Sequence, residues 1–227
     1  MSIQITATTN PQQIREKAGS YIHPGVKCGK RLFDIVFSCS ALLLLLPLLP
    51  LLAIAIKLDS QGAVFYQQIR LGRSKAGDGN TFSIIKFRTM RSDAEAAGVA
   101  LLAEKSDPRI TRVGKFLRKT RFDETPQLIN VLKGEMSLIG PRPERPELSC
   151  EIEKNRPFFS ERTYQVLPGL TGLAQVNQSY QGSVHNIDEK LGYDHAYSLA
   201  ISQPLSWIKT DTRIFFKTIL TVIKCNG

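Results

Sequence analysis

The sequence predicts a mixed α/β unit carried on a hydrophobic anchor. Three observations predict it: one long uncharged apolar block, two strand-like segments around a glycine-bearing loop, and later segments that are apolar at helical spacing and basic elsewhere. At 227 residues the chain fits one domain, or one domain plus an anchor. Thirty Lys and Arg against twenty Asp and Glu give a formal charge of +10, which favours polyanionic partners of any kind. The four cysteines (Cys28, Cys39, Cys150, Cys225) form no CxxC pair, so a disulfide framework or structural zinc site is not expected and reduced cytosolic thiols are. His23, His185 and His195 are too scattered for a histidine-based metal cluster.

Residues 1–26 are polar and mixed, with Pro11, Gly19, Pro24 and Gly25, and read as a mobile or weakly helical lead-in. From Ile35 to Ile56 no residue is charged, and Leu42 to Leu46 run consecutively. As one helix this stretch would span about 33 Å, enough for a bilayer core. It starts too late and runs too long for a cleaved signal peptide. Pro47 and Pro50 sit near its middle, and each lacks a backbone N–H, so the pair should bend or break the helix. Both flanks are basic: Lys27, Lys30 and Arg31 before, Lys57, Arg70 and Arg73 after. A hairpin that enters and leaves through the cytoplasmic leaflet suits both flanks better than a kinked crossing. Ser38 and Ser40 are candidates to satisfy backbone groups freed at the bend.

After the anchor, Ala63 to Ile69 and Thr81 to Phe87 read as strands, with Gly72 to Asn80 as the loop between them. In the run from Asp107 to Phe122, Ile110, Val113 and Leu117 recur at helical spacing, with Arg109, Arg112, Lys115, Arg118, Lys119 and Arg121 around them. This is a basic amphipathic segment of the kind that lies on an anionic lipid surface. Near the C-terminus Ile208, Phe215, Ile219, Val222 and Ile223 form an apolar stripe, with Lys209, Arg213 and Lys217 on another face. A solvated face over a soluble core is the alternative for each segment. Nucleic acid is not an expected partner, because the aromatic residues are not interleaved with the basic clusters and no binding module is present.

The chemistry should lie near Arg121-Phe122-Asp123-Glu124-Thr125-Pro126-Gln127. Pro126 is tolerated only in the first turn of a helix, so a helix should begin close to Asp123 or Glu124. Unpaired N–H groups there, with Arg121, favour an ionised carboxylate able to attack phosphorus. Asp123 as a simple N-cap, or within a box capped by Thr120, is the alternative. Downstream, Pro141 and Pro143 fix the backbone around Arg142, whose planar fork suits bidentate phosphate binding. Lys86 and Arg88 close the second strand and, at alternate positions, share a face from which they could hold a diphosphate. Structural salt bridges are the ordinary role for any one of these residues.

Taken together, KRLFDIVFS with its proline-broken hairpin, FSIIKFRTM, DPRITRVGKFLRKTRFDETPQLINVLKGEMSLIGPRPE and PGLTGLAQVN (Pro168 to Asn177) resemble the monotopic phosphoglycosyl transferases, or bacterial sugar transferases. The resemblance runs from about Lys30 to the C-terminal helix. It implies a compact α/β catalytic unit on a re-entrant hairpin with amphipathic interfacial helices. The expected division is a lead-in over 1–29, the hairpin over 30–58, and the catalytic domain with a C-terminal interfacial helix over 59–227.

The resemblance implies that Asp123 attacks the sugar-linked phosphate of a UDP-sugar, releasing UMP, and that polyprenyl phosphate then displaces Asp123 to give a polyprenyl diphosphate sugar. Glu124 matches the second member of the dyad. Mg²⁺ is the implied cofactor, with Asp123 as its protein ligand. Lys86, Arg88, Arg121, Pro141, Arg142, Pro143 and Asp194 match positions tied to phosphate, nucleotide or substrate handling. The implied setting is the cytoplasmic face of a bacterial inner membrane, with anionic lipid as a further partner and a homodimer left open. Gln178-Ser179 stands where many members carry Gly-Arg, and the several membrane helices that precede this unit in larger members are not seen. The competing functions are a glycosyltransferase that releases UDP and a membrane-surface adaptor without turnover.

Overall fold

The computed structural model describes residues 20–75, 78–94, 107–157, 159–178 and 187–223. Two helices come first, α1 (Pro24–Leu45) and α2 (Leu48–Asp59), followed by strands β1 (Phe65–Lys75) and β2 (Asp78–Phe87). Helix α3 (Arg112–Thr120), a 3-10 turn (Phe122–Glu124), α4 (Gln127–Lys133) and β3 (Ser137–Ile139) make the middle. Then come α5 (Pro146–Asn155), a 3-10 turn (Phe159–Thr163), β4 (Gly169–Thr171), α6 (Leu173–Asn177), α7 (Ile187–Ala200) and α8 (Pro204–Ile223). The mixed helix and sheet content agrees with the predicted fold class.

Helix α1 starts at Pro24, whose fixed φ and missing N–H suit a first turn, with His23 Nδ1 accepting from Gly25 N at 3.0 Å. The lead-in therefore ends earlier than expected, and Ile22 and Val26 already lie in the core. No single described helix is long and apolar enough to cross a membrane, but α1 and α2 pass that test together and are bent by 64°. The break falls at Leu46 and Pro47. Pro47 does what the sequence predicts, whereas Pro50 breaks nothing: it sits in the first turn of α2, where a backbone N–H would have no intrahelical carbonyl to meet and its absence costs nothing. The expected help from serine is also absent. Ser38 Oγ is buried without a hydrogen bond, because its face of α1 packs inward.

One face of α1 is bolted to the rest of the fold. Arg31 donates from Nη1 to Val131 O and from Nη2 to Leu132 O, both at 2.6 Å, closing the carbonyl end of α4. Asp34 Oδ1 accepts from Leu138 N at 2.8 Å and Ser137 Oγ at 3.0 Å, and Lys30 Nζ donates to Ile139 O at 3.1 Å. The opposite face stays bare: Leu43 and Leu44 are 73% and 80% exposed, and Leu51, Ile54 and Leu58 continue the apolar surface along α2.

β1 and β2 form an antiparallel hairpin that runs further than predicted. Most of the expected loop Gly72 to Asn80 is strand, and a register shift between Leu71 and Ser74 absorbs the irregularity. β3 and β4 pair in parallel, a contact the sequence did not announce. They can do so because Gly169 lets the two backbones touch: a Cβ there would lie 2.1 Å from Gly140 N.

The main core joins Val26 of α1, Ile84 of β2, Leu128 and Val131 of α4, Leu138 and Ile139 of β3, Tyr197 of α7 and Ile214 of α8. A second cluster joins Leu52 and Ile56 of α2 to Phe87 and Leu117. The basic segment is not one helix. Asp107 is buried and bound by Arg109, and only Arg112 onward is helical, with Thr111 Oγ1 capping Gly114 N at 3.0 Å. Asp59, the last residue of α2, accepts from Val113 N at 2.8 Å, so α3 is tied to the end of α2. Arg112, Lys115 and Lys119 are exposed on α3. On α8, Phe215 meets Phe33 and Phe37 of α1 at ring-centroid distances of 6.1 and 5.3 Å, while Phe216, Leu220 and Ile223 face outward.

Candidate active site

The chain leaves α3 through Arg121, whose left-handed backbone (φ 60°) stops the helix and throws Phe122–Glu124 into a 3-10 turn. Helix α4 begins only at Gln127, with Pro126 at its cap. The expected helix start is thus three to four residues late, and Asp123 lies on the tight turn before it.

Both carboxylates are buried, yet their surroundings differ. Glu124 Oε1 accepts from Lys86 Nζ at 2.8 Å and from Arg142 Nη2 at 2.7 Å. Burial opposes its charge, but the two cations outweigh burial and hold Glu124 well below the usual carboxylate range. Asp123 Oδ1 is buried with no hydrogen-bond partner. Burial, reinforced by the neighbouring Glu124 charge, pushes Asp123 up to about 6 despite Lys86, Arg118 and Arg121 pulling the other way. This corrects the sequence expectation that helix-end N–H groups would favour ionisation of Asp123. Its Oδ1 receives no hydrogen bond, and desolvation dominates.

Lys86 arrives from β2, opposite Tyr66 in the register, and burial lowers its pKa while Glu124 raises it. Arg142 arrives from the loop after β3, where Pro141 and Pro143 are both buried. The carbonyl of Pro141 accepts from Gly169 N at 2.8 Å, and that of Pro143 from Arg70 Nη1 at 3.2 Å. Both prolines therefore hold the loop in shape.

Two predicted site residues are not brought to the dyad. Arg88 lies beyond the end of β2 and does not share the Lys86 face. Its Nη2 donates to Ser60 O at 2.6 Å and Ser60 Oγ at 3.1 Å, gripping the exit of α2. Asp194 is buried in α7 and pairs with Arg162 Nη1 at 2.7 Å, so it faces a buried cation and not an open cleft. Two residues passed over in the sequence do reach the site's frame: Arg70 from β1 and Arg162 from the second 3-10 turn. No motif or spacing marks either, and only the fold brings them to the loop. The Gln178-Ser179 departure falls partly outside the described residues.

Among the described residues no group of three or more His, Cys, Asp or Glu side chains is placed to hold a metal ion. A single carboxylate with an unpartnered oxygen nevertheless suits Mg²⁺, which commonly takes one or two carboxylates and completes its shell with water and substrate phosphate.

A family model described as bacterial sugar transferase matches residues 26–225. The chain is 41% identical over 194 residues to the UDP-N-acetylgalactosamine-undecaprenyl-phosphate N-acetylgalactosaminephosphotransferase of Aeromonas hydrophila, covering 86% of this chain and 43% of that one. It is 39% identical over 199 residues to the undecaprenyl-phosphate glucose phosphotransferase of Komagataeibacter xylinus, covering 84% and 35%. It is 37% identical over 192 residues to the UDP-glucose:undecaprenyl-phosphate glucose-1-phosphate transferase of Escherichia coli K12, covering 84% and 39%. The chain spans less than half the length of each of these relatives. With the family pattern matched across nearly its whole length, the chain belongs to the bacterial sugar transferase family.

Proposed function

We propose that the chain transfers a sugar 1-phosphate from a UDP-sugar to polyprenyl phosphate, through a covalent phosphosugar ester on Asp123. The observation that carries this reading is the contrast within the dyad: Glu124 is charged and locked by Lys86 and Arg142, while Asp123 keeps an unpartnered buried oxygen. A carboxylate near pKa 6 is ionised at neutral pH and more basic than an ordinary one, which makes it the better nucleophile of the two. The relatives are named for transfer of sugar phosphates to undecaprenyl phosphate, which supports the same substrates here.

In the first step an Asp123 oxygen attacks the phosphorus bonded to the sugar. The bond from that phosphorus to the bridging oxygen breaks, and UMP leaves with the electron pair. In the second step a phosphate oxygen of the polyprenyl carrier attacks the same phosphorus and Asp123 departs as a carboxylate. Lys86 and Arg142, held by Glu124, are the cations that would offset charge developing on the transferred group. Mg²⁺ held through Asp123 would supply further neutralisation of the diphosphate.

The bare apolar face of α1 and α2, with α3 tied to the end of α2, supports a re-entrant anchor in the cytoplasmic leaflet of a bacterial inner membrane. Exposed Arg112, Lys115 and Lys119 fit anionic lipid headgroups. Cysteines at positions 25 and 60 should both be labelled from the cytoplasmic side, and labelling from opposite sides would overturn re-entry. The reaction itself is tested by incubating the purified protein with a panel of UDP-sugars without acceptor. UMP release and a phosphosugar mass shift on the Asp123 peptide are expected; release of UDP, or no adduct, would overturn the reading.

A further inference from the structure

We propose that Arg162, seated on Asp194, is a positioning residue for Arg142. The inference rests on the reading of the Asp123–Glu124 dyad as catalytic and concerns how one of its cations is held. The guanidinium of Arg162 spans two elements at once. Nη1 donates to Asp194 Oδ2 at 2.7 Å, and Nη2 donates to the backbone carbonyl of Arg142 at 2.9 Å. The face of the group lies over the ring of Phe159, 4.7 Å from the centroid. Both charged side chains are almost wholly enclosed, at 3% and 1% exposure. A pair this deep gives little net stability, because desolvation offsets its attraction. What it does supply is a donor of fixed direction at a single carbonyl.

That carbonyl belongs to the residue whose side chain enters the site. Arg142 Nη2 reaches Glu124 Oε1 at 2.7 Å, so the backbone of Arg142 is held from one side by Arg162 and its tip engages the dyad on the other. The flanking positions are held by different groups: Pro141 O by Gly169 N, Pro143 O by Arg70, and the Glu144 side chain by Lys190. Loss of Arg162 should therefore release the carbonyl of Arg142 while its neighbours keep the loop in place. Misplacement of a phosphate-binding group by about 1 Å is enough to slow catalysis about 100-fold.

The test is a double-mutant cycle on the full chain in membranes, read by initial rates of UMP release. Arg162→Gln is expected to lower the rate about 100-fold. Adding Arg162→Gln to Arg142→Ala is expected to change the rate by less than about threefold, because Arg162 would act through a side chain already removed. Arg162→Lys keeps the charge against Asp194 but not the two-pronged reach, and its loss should likewise vanish in the Arg142→Ala background. Multiplying losses, or wild-type rates for Arg162→Gln, would overturn the proposal. If Arg162→Gln does not yield folded protein, the cycle with Arg162→Lys decides by the same criterion. Failure of the dyad reading is seen separately, as absence of the Asp123 adduct in the unmodified protein.

Discussion

The loop from Ile139 to Glu144 and the turn from Phe122 to Glu124 face each other across the site and are built by opposite rules. In the loop, the carbonyls of Ile139, Pro141, Arg142, Pro143 and Glu144 all accept hydrogen bonds, from Lys30 and Tyr197, Gly169, Arg162, Arg70 and Leu71 respectively. In the turn, Asp123 keeps a buried oxygen with none. A buried polar atom left unpaired costs about 1–3 kcal/mol, and native proteins keep few of them. The difference separates tasks. The loop is a fixed mount for a cation, and the turn keeps a buried carboxylate oxygen unpartnered, as the proposed nucleophile requires.

The largest effect expected from this contrast falls on the turn. Asp123→Asn should lower UMP release by roughly 10⁴-fold or more, the scale on which removal of an attacking group acts. The same change should raise thermal stability above pH 6. The folded pKa of Asp123 is raised to about 6, so the buried carboxylate destabilises the fold at neutral pH, and that penalty fades as pH falls toward the unfolded value. A gain on the order of 1–3 kcal/mol at pH 8, shrinking by pH 4, is the expected melting result. An equal change at both pH values would mean that Asp123 is not held in a desolvated state.

Glu124→Gln is the next largest. It removes the charge shared by Lys86 and Arg142 and leaves two buried or half-buried cations without their carboxylate, a change of about 3–5 kcal/mol in stability. The rate should fall about 100-fold as both cations lose their orientation. Its effect on pH dependence is the sharper test. Glu124 is charged throughout the working range, so a single acidic limb set by Asp123 near pH 6 is expected in the unmodified protein, with the rate about tenfold lower at pH 5 than at pH 7. Because the Glu124 charge is the second cause raising Asp123, its removal should move that limb to lower pH even as the maximum rate drops. A limb that stays near 6 would show that burial alone sets Asp123.

How far this contrast could be read in advance differs between its two sides. The apolar block, its break at Pro47, both strands of the first hairpin and the grouping of Asp123, Glu124, Lys86 and Arg142 are all legible, because each rests on local composition or a continuous motif. The upward shift of the Asp123 pKa was not, since it depends on how deeply the turn is buried and on where α4 starts. Arg88 was misplaced for a similar reason: alternation holds only while the strand lasts, and β2 ends at Phe87. The parallel pairing of β3 with β4, and the arrival of Arg70 and Arg162 at the loop, join segments at least 20 residues apart, with no pattern in either partner to announce the other.

The smallest effect expected lies in the loop, and it tests whether the mount is shared or hangs on one contact. Arg70 donates to Pro143 O at 3.2 Å and also to Gln68 Oε1, and burial lowers its pKa to about 10, so it is still protonated at neutral pH. Arg70→Lys keeps the charge but loses the fork that serves both acceptors. One lost hydrogen bond is worth about 1 kcal/mol, which for a chain of this size lowers the melting temperature by about 2–4 °C. Because Pro141, Arg142 and Glu144 keep their own partners, the rate of UMP release should fall only about two- to fivefold. A fall as large as that of Arg162→Gln would mean that the loop moves as one body and that no single carbonyl bond positions Arg142.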